Sequence, residues 1–383
     1  MENYQKSLEC HKKWQGKIST HVKSIIQNKE DLSLAYTPGV AAPCKEIVKY
    51  PDNLYDYTIK GNTIAIVSDG SAVLGLGNIG PYAALPVMEG KAVLFKEFAD
   101  LNAFPICLNT QDSEEIIQTI INISPVFGGI NLEDISAPRC FYIEERLKET
   151  LSIPVFHDDQ HGTAVVVLAA IINALKLIKK SVERCKVVIN GAGAAGIAIA
   201  KLLGGYGFEQ IILCDKAGAL YEGVEGLNGA QASIARSTNP KKETGELRQV
   251  IVNSDIFIGV SAPNIVDGDM IRSMNHDGIV FAMANPIPEI LPEEAIKAGA
   301  KIVGTGRSDY PNQVNNVLAF PGIMKAAVKA KKQITDEVKM EAAQALATFI
   351  HPDELSFDKI LPYPFEKGIA MHIAKSIESF FRS

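Results

Sequence analysis

The sequence predicts an α/β chain of two domains, the second built on a doubly wound parallel sheet. Three observations predict it. From Gly129 onward, short apolar runs rich in β-branched residues alternate with longer helical segments, the pattern of parallel βαβ units with helices on both faces. One of those runs leads directly into a glycine-rich turn that opens a helix. The length, 383 residues, is enough for two apolar cores, with the boundary expected between 1–160 and 161–383.

The first third opens with charged, helical sequence, read as a helix over 8–27. The run 63–68 is apolar and β-branched and stops at Asp69-Gly70, so it reads as a buried strand. A second short strand is expected over 104–108 and a helix over 112–123, after a polar start. Beyond these, strands are expected at 153–156, 186–190, 210–214, 255–259, 279–283 and 301–303, with helices over 162–177 and from Ala194 to Leu203. The tail from Gly322 is read as helical and packed back on the sheets.

The composition, 47% hydrophobic and 21% charged, is that of a globular protein. A net charge of -6 argues against nucleic-acid binding, which needs a clustered cationic surface. The longest apolar segment, 162–178, contains Asn173 and Lys176 and reads as a buried helix rather than a membrane span. The six cysteines form no CxxC pair and lie in apolar stretches, as reduced thiols do, and no apolar run follows the first residues. The expected setting is cytoplasmic.

The clearest motif is Gly191-Ala192-Gly193-Ala194-Ala195-Gly196, placed after the strand 186–190 and at the start of a helix. The first glycine makes the tight turn, the second lets backbone approach a pyrophosphate, and the third allows close helix–strand packing. The phosphate then sits at the positive end of the helix dipole. Asp215 ends the next strand about 20 residues on, where a carboxylate meets ribose hydroxyls. The reading is a Rossmann-like dinucleotide site. Asp215 tilts it toward NAD, while Lys216 beside it suits a 2′-phosphate, so NADP stays open.

Two acidic pairs follow apolar strands: Glu133-Asp134 and Asp158-Asp159. Ligands in open α/β sheets bind at the carboxyl ends of strands. Two such ends side by side place several oxygens around one hard cation, Mg²⁺ or Mn²⁺. His157 and His161 flank the second pair, but no third nitrogen or sulfur ligand is near enough in sequence for a zinc site. His161 is read as a helix cap or a support to the cluster, and His157 as packing. Taken singly, an acidic pair also serves as a helix cap, and an asparagine before a proline as a turn residue.

Taken together, the residues resemble the malic enzyme family in its short bacterial form. The matching stretches are 36–41 (YTPGVA), 68–80 (SDGSAVLGLGNIG), 88–91 (MEGK), 131–134 (NLED), 158–163 (DDQHGT), the glycine loop, Asn285-Pro286, Asn315-Asn316 and 320–322 (FPG). They span nearly the whole chain in the family's order. The resemblance implies an N-terminal malic-type α/β domain and an NAD(P)-binding domain. It implies oxidation of malate and decarboxylation to pyruvate and CO₂, with a divalent metal.

The same resemblance assigns Lys91 as the base toward the malate hydroxyl, Tyr36 as the acid that protonates the enolpyruvate carbon, and Asp158 as the carboxylate that supports the base. Glu133, Asp134 and Asp159 are the implied metal ligands. Asn285 and Asn315 are the implied substrate amides, Asn285 also lying against the cofactor. Larger members carry an arginine where Ala72 stands here, so backbone amides over 74–77 are expected to bind a malate carboxylate instead. Members are commonly dimers, and 8–27 is the expected interface.

Other readings are a malolactic enzyme, which keeps NAD bound and releases lactate, and a metal-dependent dehydrogenase of another hydroxy acid. A non-catalytic NAD sensor would need neither Tyr36 nor Lys91, and an amino-acid dehydrogenase would need no clustered carboxylates.

Overall fold

The computed structural model describes residues 2–73 and 75–382. Two sheets form the framework. The first has four parallel strands: β1 (Thr63–Ser68), β2 (Asn102–Cys107), β3 (Gly129–Leu132) and β4 (Val155–His157), in the order β2-β1-β3-β4. The second has β5 (Lys186–Asn190), β6 (Gln210–Asp215), β7 (Gly218–Ala219), β8 (Ile256–Gly259), β9 (Ile279–Ala282) and β10 (Ile302–Thr305). Their order is β10-β9-β8-β5-β6-β7, all parallel except the short β7. In each sheet the chain starts in the middle and then builds to both sides. Each therefore has a switch point where crevices open at the strands' carboxyl ends: between β1 and β3, and between β5 and β8.

The expected strands are all present, shifted by a residue or two at their ends. The starts of β4 and β2 shift most: β4 begins at Val155 rather than 153, and β2 begins at Asn102 rather than 104 and carries Pro105 inside it. It pairs only with β1, so the missing N–H faces no partner strand. The helix expected over 162–177 instead begins at Asp158 and runs to Ile178. Both acidic residues thus sit in its first turn, where the helix dipole favours negative charge. That helix is long and apolar enough to cross a membrane by length and composition, yet most of it is buried in the core.

One apolar core runs between the sheets, from Ile64 and Met88 through Val165 and Leu168 to Val187 and Phe281. Smaller cores cover the outer face of each sheet. The tail forms helices Phe320–Ala330, Asp336–Thr348 and Ile369–Phe380. The first packs against helix Gly80–Ala99 and β3, so the chain returns to the first sheet after completing the second.

The expected helix over 8–27 is not continuous. Helix Glu2–Trp14 stops where Gln15 and Gly16 take positive φ, 53° and 107°. The chain then runs without regular structure to helix Lys29–Ala35. Gly16 supplies a left-handed position that ends a helix. Lys17 anchors the new direction, its backbone N–H donating to Glu89 Oε2 at 3.1 Å and its Nζ to the Pro86 carbonyl at 2.5 Å.

Candidate active site

The first crevice is built by four segments. Strand β1 ends at Ser68 and is followed by Asp69-Gly70; Gly70 takes φ 67°, and a Cβ there would meet the Gly80 carbonyl oxygen at 2.3 Å. That close approach starts helix Gly80–Ala99, which carries Lys91 on its inner face. Strand β3 delivers Glu133 and Asp134. Strand β4 runs straight into Asp158 and Asp159.

Lys91 is buried, and a buried ammonium needs partners. It bonds Asp158 Oδ2, pairs with Glu133 Oε1 at 2.9 Å, and lies 4.0 Å above the Phe320 ring. Burial alone would lower its pKa; Asp158 and Glu133, with Asp159 behind them, outweigh burial and hold it above the ordinary lysine value. Asp158 is in turn held by Asn316, whose Nδ2 donates to Oδ2 at 2.5 Å.

One oxygen each from Glu133, Asp134 and Asp159 lies within 4.8 Å of the others. Asn131 Nδ2 orients Glu133 at 2.8 Å. Asp134 sits at φ 56°, which turns its backbone N–H to Asp159 Oδ2 at 2.7 Å. Burial, then Asp159 and Glu133, push Asp134 up to about 9. Burial pushes Asp159 up to about 6, against the pull of Lys91. Asp134 Oδ2 and Asp158 Oδ1 are buried without a hydrogen-bond partner. Three carboxylates in one space, one oxygen orphaned and pKa values forced upward, fit an oxygen-liganded divalent cation, whose charge resolves all three.

The second crevice belongs to the glycine turn. Gly191 takes φ 119°, and a Cβ there would lie 2.5 Å from the Val260 carbonyl oxygen. A Cβ on Gly196 would lie 1.8 Å from the Gly191 carbonyl oxygen. The third glycine therefore seats the helix on the turn itself rather than on a strand. Gly193 faces open space, with nothing within 4 Å of where its Cβ would be. It caps helix Ala194–Tyr206 with no side chain, leaving the first N–H groups, those of Ala194 and Ala195 among them, free for an anion. The cradle fits a pyrophosphate. Asp215 ends β6 and bends back to accept from Ala217 N at 2.8 Å, and Lys216 is exposed beside it.

The crevices share a wall. Gly75, in the loop after β1, would carry a Cβ 3.4 Å from the Asn285 carbonyl oxygen at the end of β9. The two sites therefore meet at Asn285.

The chain matches the model of the malic enzyme N-terminal domain over residues 15–148 and of the malic enzyme NAD-binding domain over 160–379. It belongs to the malic enzyme family. It is 56% identical to the bifunctional malic/malolactic enzyme of Bacillus subtilis, over 97% of this chain and 92% of that protein. It is 54% identical to the NAD-dependent malic enzyme of Geobacillus stearothermophilus, over 96% of this chain and 77% of that one. The crystal structure of the NAD-dependent malic enzyme of Thermotoga maritima superposes with a TM-score of 0.94 at 50% identity, covering 97% of this chain and 98% of the other.

Most of the malic enzyme residues expected from sequence converge here: Lys91, Glu133, Asp134, Asp158 and Asp159 in the first crevice, Asn285 at the wall. Two do not join them. Asn315 caps the turn Asn316–Leu318, accepting from Val317 N at 3.0 Å, and its neighbour Asn316 takes the contact to Asp158. Tyr36 closes helix Lys29–Ala35 and is 67% exposed.

His161 is no cap. It lies inside its helix, with Nε2 2.8 Å from Glu144 Oε1, and His157 is fully buried with Nδ1 3.8 Å from Asp159 Oδ2. Of the amides expected to replace the family arginine at Ala72, that of Leu74 lies outside the described residues. Gly77 N bonds the Val73 carbonyl at 2.8 Å, so its amide is occupied. Sequence reading missed Asn131, Phe320 and Arg139, whose guanidinium ties Asp69 at 2.8 Å and Ser71 at 3.0 Å beneath the same loop.

Proposed function

We propose that this chain oxidises (S)-malate with NAD(P) and decarboxylates the product to pyruvate and CO₂. The observation that carries it is Lys91 held between Asp158 and Glu133 at the edge of a three-carboxylate cluster. Glu133, Asp134 and Asp159 would hold Mg²⁺ or Mn²⁺, which supplies Lewis-acid polarisation of the substrate's hydroxyl and later ketone oxygen. NAD(P) along the glycine turn supplies the hydride acceptor, and Asp215 favours NAD. Lys91 Nζ takes the hydroxyl proton. It is protonated as long as the carboxylates around it are uncompensated. Neutralising Glu133 and Asp159 removes two of the charges that keep its proton on, leaving Asp158 and Asn316 to hold the amine in place. Asn285 orients the substrate between the crevices, and Tyr36 protonates the carbon left by CO₂. Six unpaired thiols suit a reducing cytoplasm.

We further propose a homodimer in which Tyr36 acts on the partner's site. From Tyr4 to Ile59 no residue is buried, while Leu8, Val22, Ile25, Leu34 and Val48 are each at least 67% exposed. Neither helix Lys29–Ala35 nor helix Ala41–Lys49 has a buried residue, and the second packs on the turn Pro51–Asn53. An apolar arm of this length needs a cover, and a second copy provides both cover and a site for Tyr36.

The deciding assay is malate with NAD or NADP, with Mn²⁺ or EDTA, scored for pyruvate, lactate and reduced cofactor. Pyruvate and NADH in equal amounts, abolished by EDTA, are expected. Lactate without net NADH would give the malolactic reaction, which the name of the Bacillus subtilis relative brings in as the second reading. No turnover would refute both.

A further inference from the structure

Glu289 is fully buried and makes no ion pair among the described residues. Its Oε1 accepts from the backbone N–H of Ser261 at 2.9 Å, and its Oε2 from that of Ala284 at 3.0 Å. The Ser261 hydroxyl lies at 3.5 Å from Oε1 and also accepts from Asn190 Nδ2 at 2.7 Å. Asn190 ends β5, Ser261 follows β8, and Ala284 follows β9. One carboxylate thus ties the carboxyl ends of three adjacent strands. Gly259 makes room for it, since a Cβ there would lie 2.4 Å from the Glu289 carboxyl carbon.

A carboxylate buried without a cation is costly. Burial pushes its pKa up, opposed by the Ala284 and Ser261 N–H groups. What it provides is two divergent acceptor oxygens at a fixed separation, which an amide cannot offer. The loops it holds are those where a cofactor crossing the switch point between β5 and β8 places its far half, and Ala284 is followed by Asn285, where the two crevices meet. The adenosine half would lie instead toward the glycine turn and Asp215, on the other side of β5.

We propose that Glu289 is a positioning residue for the nicotinamide half of the cofactor, acting through Ser261 and Ala284 and touching no reactant itself. The inference rests on the nicotinamide-dependent reading above. In Glu289→Gln the side-chain NH₂ faces one of the two backbone donors, so one loop loses its acceptor.

Calorimetric binding of NADH and of ADP-ribose, which lacks the nicotinamide, separates the roles. NADH should weaken by about 10- to 100-fold, the effect of losing one hydrogen bond to a charged acceptor. ADP-ribose and Mn²⁺ should bind as in the unaltered protein, and KM for malate should rise through Asn285. NADH and ADP-ribose weakening together, or neither changing, would overturn the proposal. If Glu289→Gln does not fold, Ser261→Ala keeps the backbone donor and removes the hydroxyl that links Asn190 to Glu289. It should show the same split at smaller size, and an equal loss of both ligands there refutes the proposal as well. Binding does not require turnover, so an inactive but split protein would reject the reaction while leaving this role intact.

Discussion

The two crevices solve opposite problems. The carboxylate cluster is made of charge that the fold cannot satisfy alone: Asp134 Oδ2 is orphaned, and burial first, then neighbouring carboxylates, push the acids' pKa values up around a lysine. The glycine turn contains almost no charge. It works by leaving space at Gly193 and by close backbone contact at Gly191 and Gly196. The first site stores electrostatic repulsion that a cation relieves, so its residues are chosen by type. The second stores geometry, so its residues are chosen by what they lack. Changes at the two should therefore fail in different ways.

The largest effect is expected at Lys91. Lys91→Ala should lower turnover by about 10² to 10⁴ while cofactor binding, measured by NADH fluorescence, is retained. Near-normal turnover would remove Lys91 from the chemistry. Next comes the dimer. Mixing Tyr36→Phe with Lys91→Ala protein, each nearly inactive, should restore about a quarter of the normal activity, because half of randomly assorted dimers carry one intact site. No recovery after exchange would place Tyr36 on its own chain's site. At the glycine turn, Gly196→Ala forces the helix off the Gly191 carbonyl. A hydrogen bond to a charged group contributes about 1.5–3 kcal/mol, so losing one raises the KM for cofactor by about 10- to 100-fold. The KM for Mn²⁺ should stay put. A parallel rise in both would show that the crevices are not separable.

How much of this the sequence could disclose follows from the same contrast. A turn that only glycine can make announces itself, and Gly191, Gly193 and Gly196 were legible from strand, spacing and helix. Carboxylates for a cation are legible as types but ambiguous singly, and the joint pattern with Lys91 was needed to lift Glu133, Asp134 and Asp159 above ordinary caps. Residues that act through tertiary contact gave no sign of their role. Phe320 lies in a matching stretch, 320–322, but its ring gains a role only when helix Phe320–Ala330 returns to place it 4.0 Å from Lys91 Nζ, and Glu289 lies in none of the motifs. Asn315 and Asn316 differ by one position, and only the direction of the 3₁₀ turn decides which faces Asp158. The arm was misread for a local reason: helical composition continues past Trp14, but Gln15 and Gly16 turn the chain.

The smallest effect is also the sharpest test of the contrast. A ligand that binds only the folded protein stabilises it by about 2.7 kcal/mol at a hundredfold excess over Kd, which for a chain of this length raises Tm by about 3 °C. Mn²⁺ and NADH should each do so, but through different residues. In Asp134→Asn the repulsion is relieved without a cation, so the unliganded Tm should rise slightly and the Mn²⁺ shift should vanish while the NADH shift survives. In Gly196→Ala the reverse is expected: the unliganded Tm falls because backbone must move, the NADH shift shrinks, and the Mn²⁺ shift persists. If Mn²⁺ stabilised Asp134→Asn as fully as the unaltered protein, the cation would be held elsewhere. The orphaned oxygen at Asp134 would then be a cost of the fold with no ligand to explain it.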